Sequence, residues 1–121
     1  MATPDIIDVA TINGVMVAGA VSNSAHDIVD VAAEHTYKIN TLAISNIHGT
    51  NDATISVTVS ADNGSNYYHL AKTVTVPADS TVYIISKDTS IYLDETDLLR
   101  LQASAANMLE YVCSYETLND A

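Results

Sequence analysis

Four histidines, a run of carboxylates and one cysteine are the residues of this 121-residue chain whose types could do chemistry. His26, His35 and His48 fall in expected loops or turns, and His69 lies on the outward parity of a strand. No two of them stand at i,i+2, the spacing that puts two imidazoles on one face of a strand to share a metal. Asp94-Glu95-Thr96-Asp97 offers oxygen ligands, but it lacks the glycine and the spaced carboxylates of a calcium loop. It reads as an acidic turn, as does the group Asp27, Asp30 and Glu34. There is no Gly-x-Ser-x-Gly and no histidine in a context that suggests a general base. A phosphate-cradling glycine loop is also missing. Asn63-Gly64-Ser65 matches a glycosylation sequon and is read as a turn. The chain is therefore expected not to be an enzyme and to carry no cofactor or metal. The tyrosines suggest more. Tyr67, Tyr83 and Tyr92 could stand on an outward face, where a phenol ring above a Ser/Thr-rich sheet suits protein contact or glycan stacking.

The elements that must position these side chains are strands. From Ala53 to Ala61 the chain alternates strictly, with Ala53, Ile55, Val57, Val59 and Ala61 on one side and Thr or Ser on the other. Side chains switch faces at each residue of a strand, so this is a strand with one apolar face. Asp62-Asn63-Gly64-Ser65-Asn66 follows, and Asn-Gly readily takes the positive φ angles of a hairpin turn. A second strand begins at Tyr67. Lys72 interrupts its apolar parity, which calls for a bulge or an edge position that lets the ammonium reach water.

Other segments follow the same rule. Strands are expected over 27–33, 36–47, 81–86 and 91–93, with a bulge near Asn40-Thr41 where the inward parity changes. Pro77 to Ser80 and Asp94 to Asp97 are turns. Leu98 to Met108 has good helix formers, but Leu99, Leu101 and Ala103 alternate with Arg100, Gln102 and Ser104, and Ala106-Asn107 makes a turn. It is read as a strand leading to a last one in which Leu109, Tyr111, Cys113 and Tyr115 share a face. Eight or nine short strands at regular spacing imply an all-β single domain, an antiparallel β-sandwich of jelly-roll type.

Residues 1–21 are treated apart from the sandwich over 22–121. Ile6 to Val21 is apolar on both parities and reads as a hairpin turning at Asn13-Gly14, or else as one long kinked strand. It is more than one small sandwich easily buries. It is expected to pack on a neighbouring subunit through Ile12, Val15 and Val17, in a closed cyclic homo-oligomer, most simply a trimer.

Charge narrows the partners. Four Lys/Arg against 15 Asp/Glu give a net charge of −11, which argues against nucleic acid and against an anionic membrane surface. No apolar run reaches the length of a membrane span, and MATPDIIDV lacks the positive region of a signal peptide. The one cysteine, Cys113, permits no internal disulfide and reads as a small core residue.

Three strings, LAISNIHGTNDATISVTV, YYHLAKTVTVPADSTV and IYLDETDLLRLQASAANMLEYVCSYE, with Tyr67 to Lys72, Val76 to Ala78, Leu93 to Asp97 and Cys113 to Glu116 within or beside them, carry a resemblance that extends over about residues 28 to 117. Together they resemble small all-β virion structural proteins of tailed bacteriophages, especially marine and cyanobacterial ones. The motifs are structural turns and strands without an active site. The resemblance implies a virion protein made in the host cytoplasm. It would be a capsid decoration (cement) protein contacting the major capsid protein, or else a neck, tail or baseplate component. A carbohydrate-binding β-sandwich module is the reading from a different class.

Overall fold

A computed structural model describes residues 11–119. Nine strands follow in order: β1 Thr11–Ala20, β2 His26–Asp30, β3 His35–Asn46, β4 Ala53–Ser60, β5 Tyr68–Val76, β6 Thr81–Ile85, β7 Ile91–Asp94, β8 Leu98–Ala103 and β9 Leu109–Asn119. A single 3-10 turn, Lys87–Thr89, is the one helical element among the described residues. The segment over 98–108, where a helix competed on propensity, is strand and turn, because alternation lets Leu99, Leu101 and Ala103 all enter the core.

The strands form two antiparallel sheets. One runs β1-β9-β3-β6, with β7 also pairing β3; the other runs β2-β8-β4-β5. This order is that of a jelly roll with one strand split in two: β7 pairs the first half of β3 and β6 the second. The inner faces supply the core. Ile39, Leu42, Ile44, Ile85, Leu109 and Cys113 come from the first sheet, and Val29, Ile55, Val57, Val76, Leu99 and Leu101 from the second. With no Trp or Phe in the chain, the packing is aliphatic, and two tyrosines, Tyr37 and Tyr115, stack at its margin with centroids 4.9 Å apart.

Several expected irregularities are present. The register of β3 against β9 shifts between Ile39 and Thr41, which turns the inward set from Tyr37 and Ile39 to Leu42 and Ile44. β5 answers the Lys72 problem in both ways, since it is an edge strand and is also bulged against β4. Two expectations for the N-terminal stretch need correction. Asn13 and Gly14 do not turn the chain; they pair with Thr117 and Glu116 inside one uninterrupted strand of ten residue pairs. β9 offers a partner along that whole length, so continuing the ladder satisfies more backbone groups than a hairpin would. For the same reason Thr11–Ala20 is not an arm apart from the sandwich, because β1 is a strand of the sandwich's own sheet. Residues 1–10 lie outside the described residues.

The β4–β5 turn shows how tightly the loops are built. Asn63 and Gly64 have φ of 59° and 91°. The buried Ser60 hydroxyl donates to Asp62 Oδ1 at 2.9 Å and accepts from Gly64 N at 2.8 Å. Asn66 donates to the same carboxylate twice, from Nδ2 at 2.8 Å and from its backbone N at 2.9 Å. These bonds, the Asn66 amide first, hold the Asp62 carboxyl below its ordinary 3.8. A depressed folded pKa contributes stability that is present above the unfolded value and lost as pH falls through the folded one. Asp62→Asn is therefore expected to be the less stable protein at neutral pH, with the gap closing below about pH 4. Melting curves taken across that range test this, and a gap that persists undiminished into strong acid would refute the assignment.

Candidate functional site

A sandwich exposes sheet edges, and each edge strand of this one can be compared by its guards. β2 is short, is bulged between Asp27 and Val29, and carries Asp27 and Asp30. β5 carries Lys72 and its bulge. β7 has four residues and ends in Asp94. β1 has none of these devices. TINGVMVAGA contains no charged residue and no proline, runs ten residues, and pairs with β9 without a register shift. Among the described residues no strand pairs with its other edge. β6, Thr81–Ile85, is the other uncharged edge strand, and it closes the opposite side of the same sheet.

Between these two edges the outer face of the sheet is apolar along one row. Ala18 pairs with Val112, Val112 with Ala43, and Ala43 with Tyr83, so the row crosses all four strands. Met16 stands beside it, and Ile12 continues its strand. Ile12, Met16 and Tyr83 are 61%, 65% and 64% exposed, and Val112 is also open to solvent. Large apolar side chains aligned on one face mark interaction surfaces more often than scattered ones do. At the β1 end the face hollows to about 320 Å³ over Ala18, Gly19, Ala20, Glu110, Tyr111 and Val112.

Of the three residues expected at a subunit interface, only Ile12 is on this face. Val15 and Val17 pair with Tyr115 and Cys113 on the opposite, inner side, and Val17 packs against the core. The alternation of a straight strand separates them, which a hairpin reading had concealed. The tyrosines divide likewise. Tyr83 is on the outer face just described, whereas Tyr92 lines an apolar groove with Tyr68 and Leu70. Tyr67 is not a free ring, because the Arg100 guanidinium carbon sits 3.8 Å from its centroid and its hydroxyl donates to Asp27 Oδ1 at 3.2 Å. These three rings therefore form no single stacking platform.

Several of the candidate side chains hold backbone groups in place. His48 Nδ1 accepts the backbone N–H groups of Thr50 and Asn51 at 3.2 and 3.0 Å, and His35 Nδ1 lies 2.7 Å from the Ala33 carbonyl. Asp97 Oδ2 accepts from Asp94 N at 2.8 Å, and Glu95 Oε2 from Glu34 N at 2.6 Å, so the acidic turn spends its carboxylates on backbone amides. No group of three His, Cys, Asp or Glu among the described residues is placed to hold a metal ion. Cys113 is fully buried, and burial alone pushes its thiol up to about 12. Because the thiolate is the nucleophile, the folded protein is expected to resist a disulfide-exchange reagent at pH 8 and to react within minutes in urea. Rapid labelling of native protein would show that the core opens around β9. The described residues contain no helix long and apolar enough to cross a membrane.

No family model and no curated protein matches this sequence. Solved structures do match by shape. The subunit of Bacillus endospore appendages, described as a novel family of disulfide-linked pili, superposes with a TM-score of 0.56 at 13% identity, covering 92% of this chain and 88% of that one. The infectious bursal disease virus Gx strain gives 0.37 at 8% identity, with 91% of this chain lying on 32% of that one. The CBM22-1 xylan-binding domain of Paenibacillus barcinonensis Xyn10C gives 0.32 at 13% identity, covering 89% and 73%. At such identities the likeness is one of fold, and the pilus match, with its TM-score of 0.56, supports it.

Proposed function

We propose that this chain is a non-catalytic structural subunit that assembles with further copies of itself through β1 and the outer face of its sheet. The observation that carries the reading is the contrast among edges, in which every edge strand but β1 is bulged or charged, β6 being bulged against β3 but free of charge. β1 of one copy laid along β6 of the next would continue the sheet and bring the two ends of the row, Ala18 and Tyr83, side by side across the contact. Such a head-to-tail contact closes into a ring, a trimer being the simplest, or extends into a fibre. The carboxylates responsible for the charge of −11 must then lie mostly outside the contact, and the row itself is uncharged.

The setting favoured by the sequence resemblance is a tailed-phage virion, with the protein decorating the capsid shell or forming part of the neck, tail or baseplate. The jelly roll suits any of these. A fibre is the second reading, supported by the shared fold with the pilus subunit. In that case cohesion would be non-covalent, since the single cysteine is buried in the core. Mass spectrometry and cryo-electron microscopy of intact particles test the setting. A fixed copy number on an ordered site, with β1 against a neighbouring copy, is expected. Absence from purified particles would remove the virion reading, and a β1 edge facing solvent in the assembled state would remove the assembly reading.

A further inference from the structure

The outer face of the second sheet carries a hollow of different character. The chain has only four Lys and Arg, yet Lys72 and Arg100 line this one hollow of about 240 Å³ together with His69, Ser56, Thr58 and Gln102. The sheet order brings them together. Thr58 of β4 pairs with Arg100 of β8 on one side and with His69 of β5 on the other, and Asp27 of β2 pairs with Arg100, which completes a row across four strands.

Lys72 reaches the hollow only because β5 is bulged. By parity it belongs with the inward Val74 and Val76. Val74 pairs with Ile55 and Ala71 with Val57, so Lys72 and Thr73 both stand opposite Ser56. Thr73 takes φ of 47°, a left-handed value that a β-branched residue rarely adopts, and its N–H donates to Ser56 Oγ at 3.0 Å. Backbone strain of this kind persists where the surrounding structure holds it, and bulges re-aim side chains next to binding sites. A second hollow of about 220 Å³ adjoins the first through Ser56, Thr73 and Gln102 and adds Thr54 and Ser104. Together they make a trough along the sheet, walled by hydroxyls, an amide, an imidazole and two cations.

The cations differ. Arg100 is fixed, with Nε 3.0 Å from Asp27 Oδ1 and its plane against Tyr67, so its charge is largely met. The Lys72 ammonium has no ion pair or hydrogen bond among the described residues. In a chain of net charge −11, an unpaired ammonium at the head of a hydroxyl-lined trough is a site for an anion that also carries hydroxyl groups. We propose that this trough binds an acidic saccharide, with a uronate carboxylate on Lys72 and neighbouring ring hydroxyls on Ser56, Thr58 and Gln102. A bare inorganic anion would use the Lys72 end alone. A peptide would need apolar anchor pockets, whereas Leu101 in the floor is fully buried.

Amide NMR titration of the full chain tests this with three probes: trigalacturonate, its fully methyl-esterified neutral counterpart, and sodium sulfate. Trigalacturonate should shift the amides of Thr54, Ser56, Lys72, Thr73 and Gln102. It should bind at least roughly tenfold more tightly than either other probe, as loss of a charged hydrogen bond implies. Lys72→Met should lower that affinity by about tenfold while leaving the rest of the spectrum in place, because Lys72 is exposed. Gln102→Ala should weaken trigalacturonate and leave sulfate unchanged. The proposal is overturned if trigalacturonate shifts nothing or shifts amides elsewhere. Equal binding of the neutral ester overturns it, as does sulfate matching the saccharide on the same amides. Full affinity in Lys72→Met overturns it too.

Discussion

Leu42→Ala is expected to lower the unfolding free energy by about 3 to 4 kcal/mol, the usual range for emptying a rigid aliphatic site. Leu42 is 0% exposed and pairs with Cys113 of β9 on one side and Ile85 of β6 on the other. It therefore lies in the middle of its sheet, where both neighbouring strands fix the backbone. With the backbone paired on both sides, a cavity remains and its lining loses contacts. Domains of this size are stable by about 5 to 15 kcal/mol, so the loss is a large fraction of the whole. Urea unfolding should place the midpoint lower by about 2 M if the slope stays near 1.5 kcal/mol/M. Tyr83→Ser, on the exposed outer face, serves as the control and should change the monomer by no more than about 0.5 kcal/mol. A Leu42→Ala loss under about 1 kcal/mol would mean that the two sheets relax together over the gap.

Much of this core was legible because the strands alternate. Ala53 to Val59, Leu99 to Ala103 and Leu109 to Tyr115 point inward as the period of two requires, and the bulge at Asn40 appears as a change of parity at that point in the sequence. Asn63-Gly64 and Asn107 take the left-handed conformations that their types favour. Asn13-Gly14 shows the limit of such signals, since the same dipeptide sits within a strand when a long partner is available. The candidate surfaces were hidden for a different reason. Which side chains meet on an outer face depends on strand order, and a single sequence does not give that order. His69 and Arg100 are thirty-one positions apart yet flank the same Thr58, and Ala18 and Tyr83 lie at opposite ends of one row. Lys72 was visible as a misfit in β5, but its destination required the bulge.

Lysines at Ile12 and Met16 together are expected to raise the dissociation constant of the assembled protein by about a hundredfold or more. Each apolar side chain contributes about 1.5 to 3 kcal/mol when it passes from water into a contact, and each lysine would instead bring a charge that must be desolvated. Both positions are well exposed in the single subunit, so folding should be nearly unaffected. Substitution is the right test because deletion of 1–21 would also strip β9 of the partner with which β1 makes ten residue pairs. Lysine is the right residue because it moves the net charge from −11 to −9, that is −11 + 2, and so weakens repulsion between copies. Lost assembly could then not be put down to added like charge, and edge lysines are the guard that natural sheets use. Val15→Ala gives the contrasting result: it trims the inner face, so it should lower the melting temperature and leave the association constant in place. Sedimentation velocity across a concentration series separates these outcomes. Wild-type protein that stays monomeric at every concentration, or a doubly substituted protein that assembles as before, would show that β1 and the row beside it are not the contact between copies.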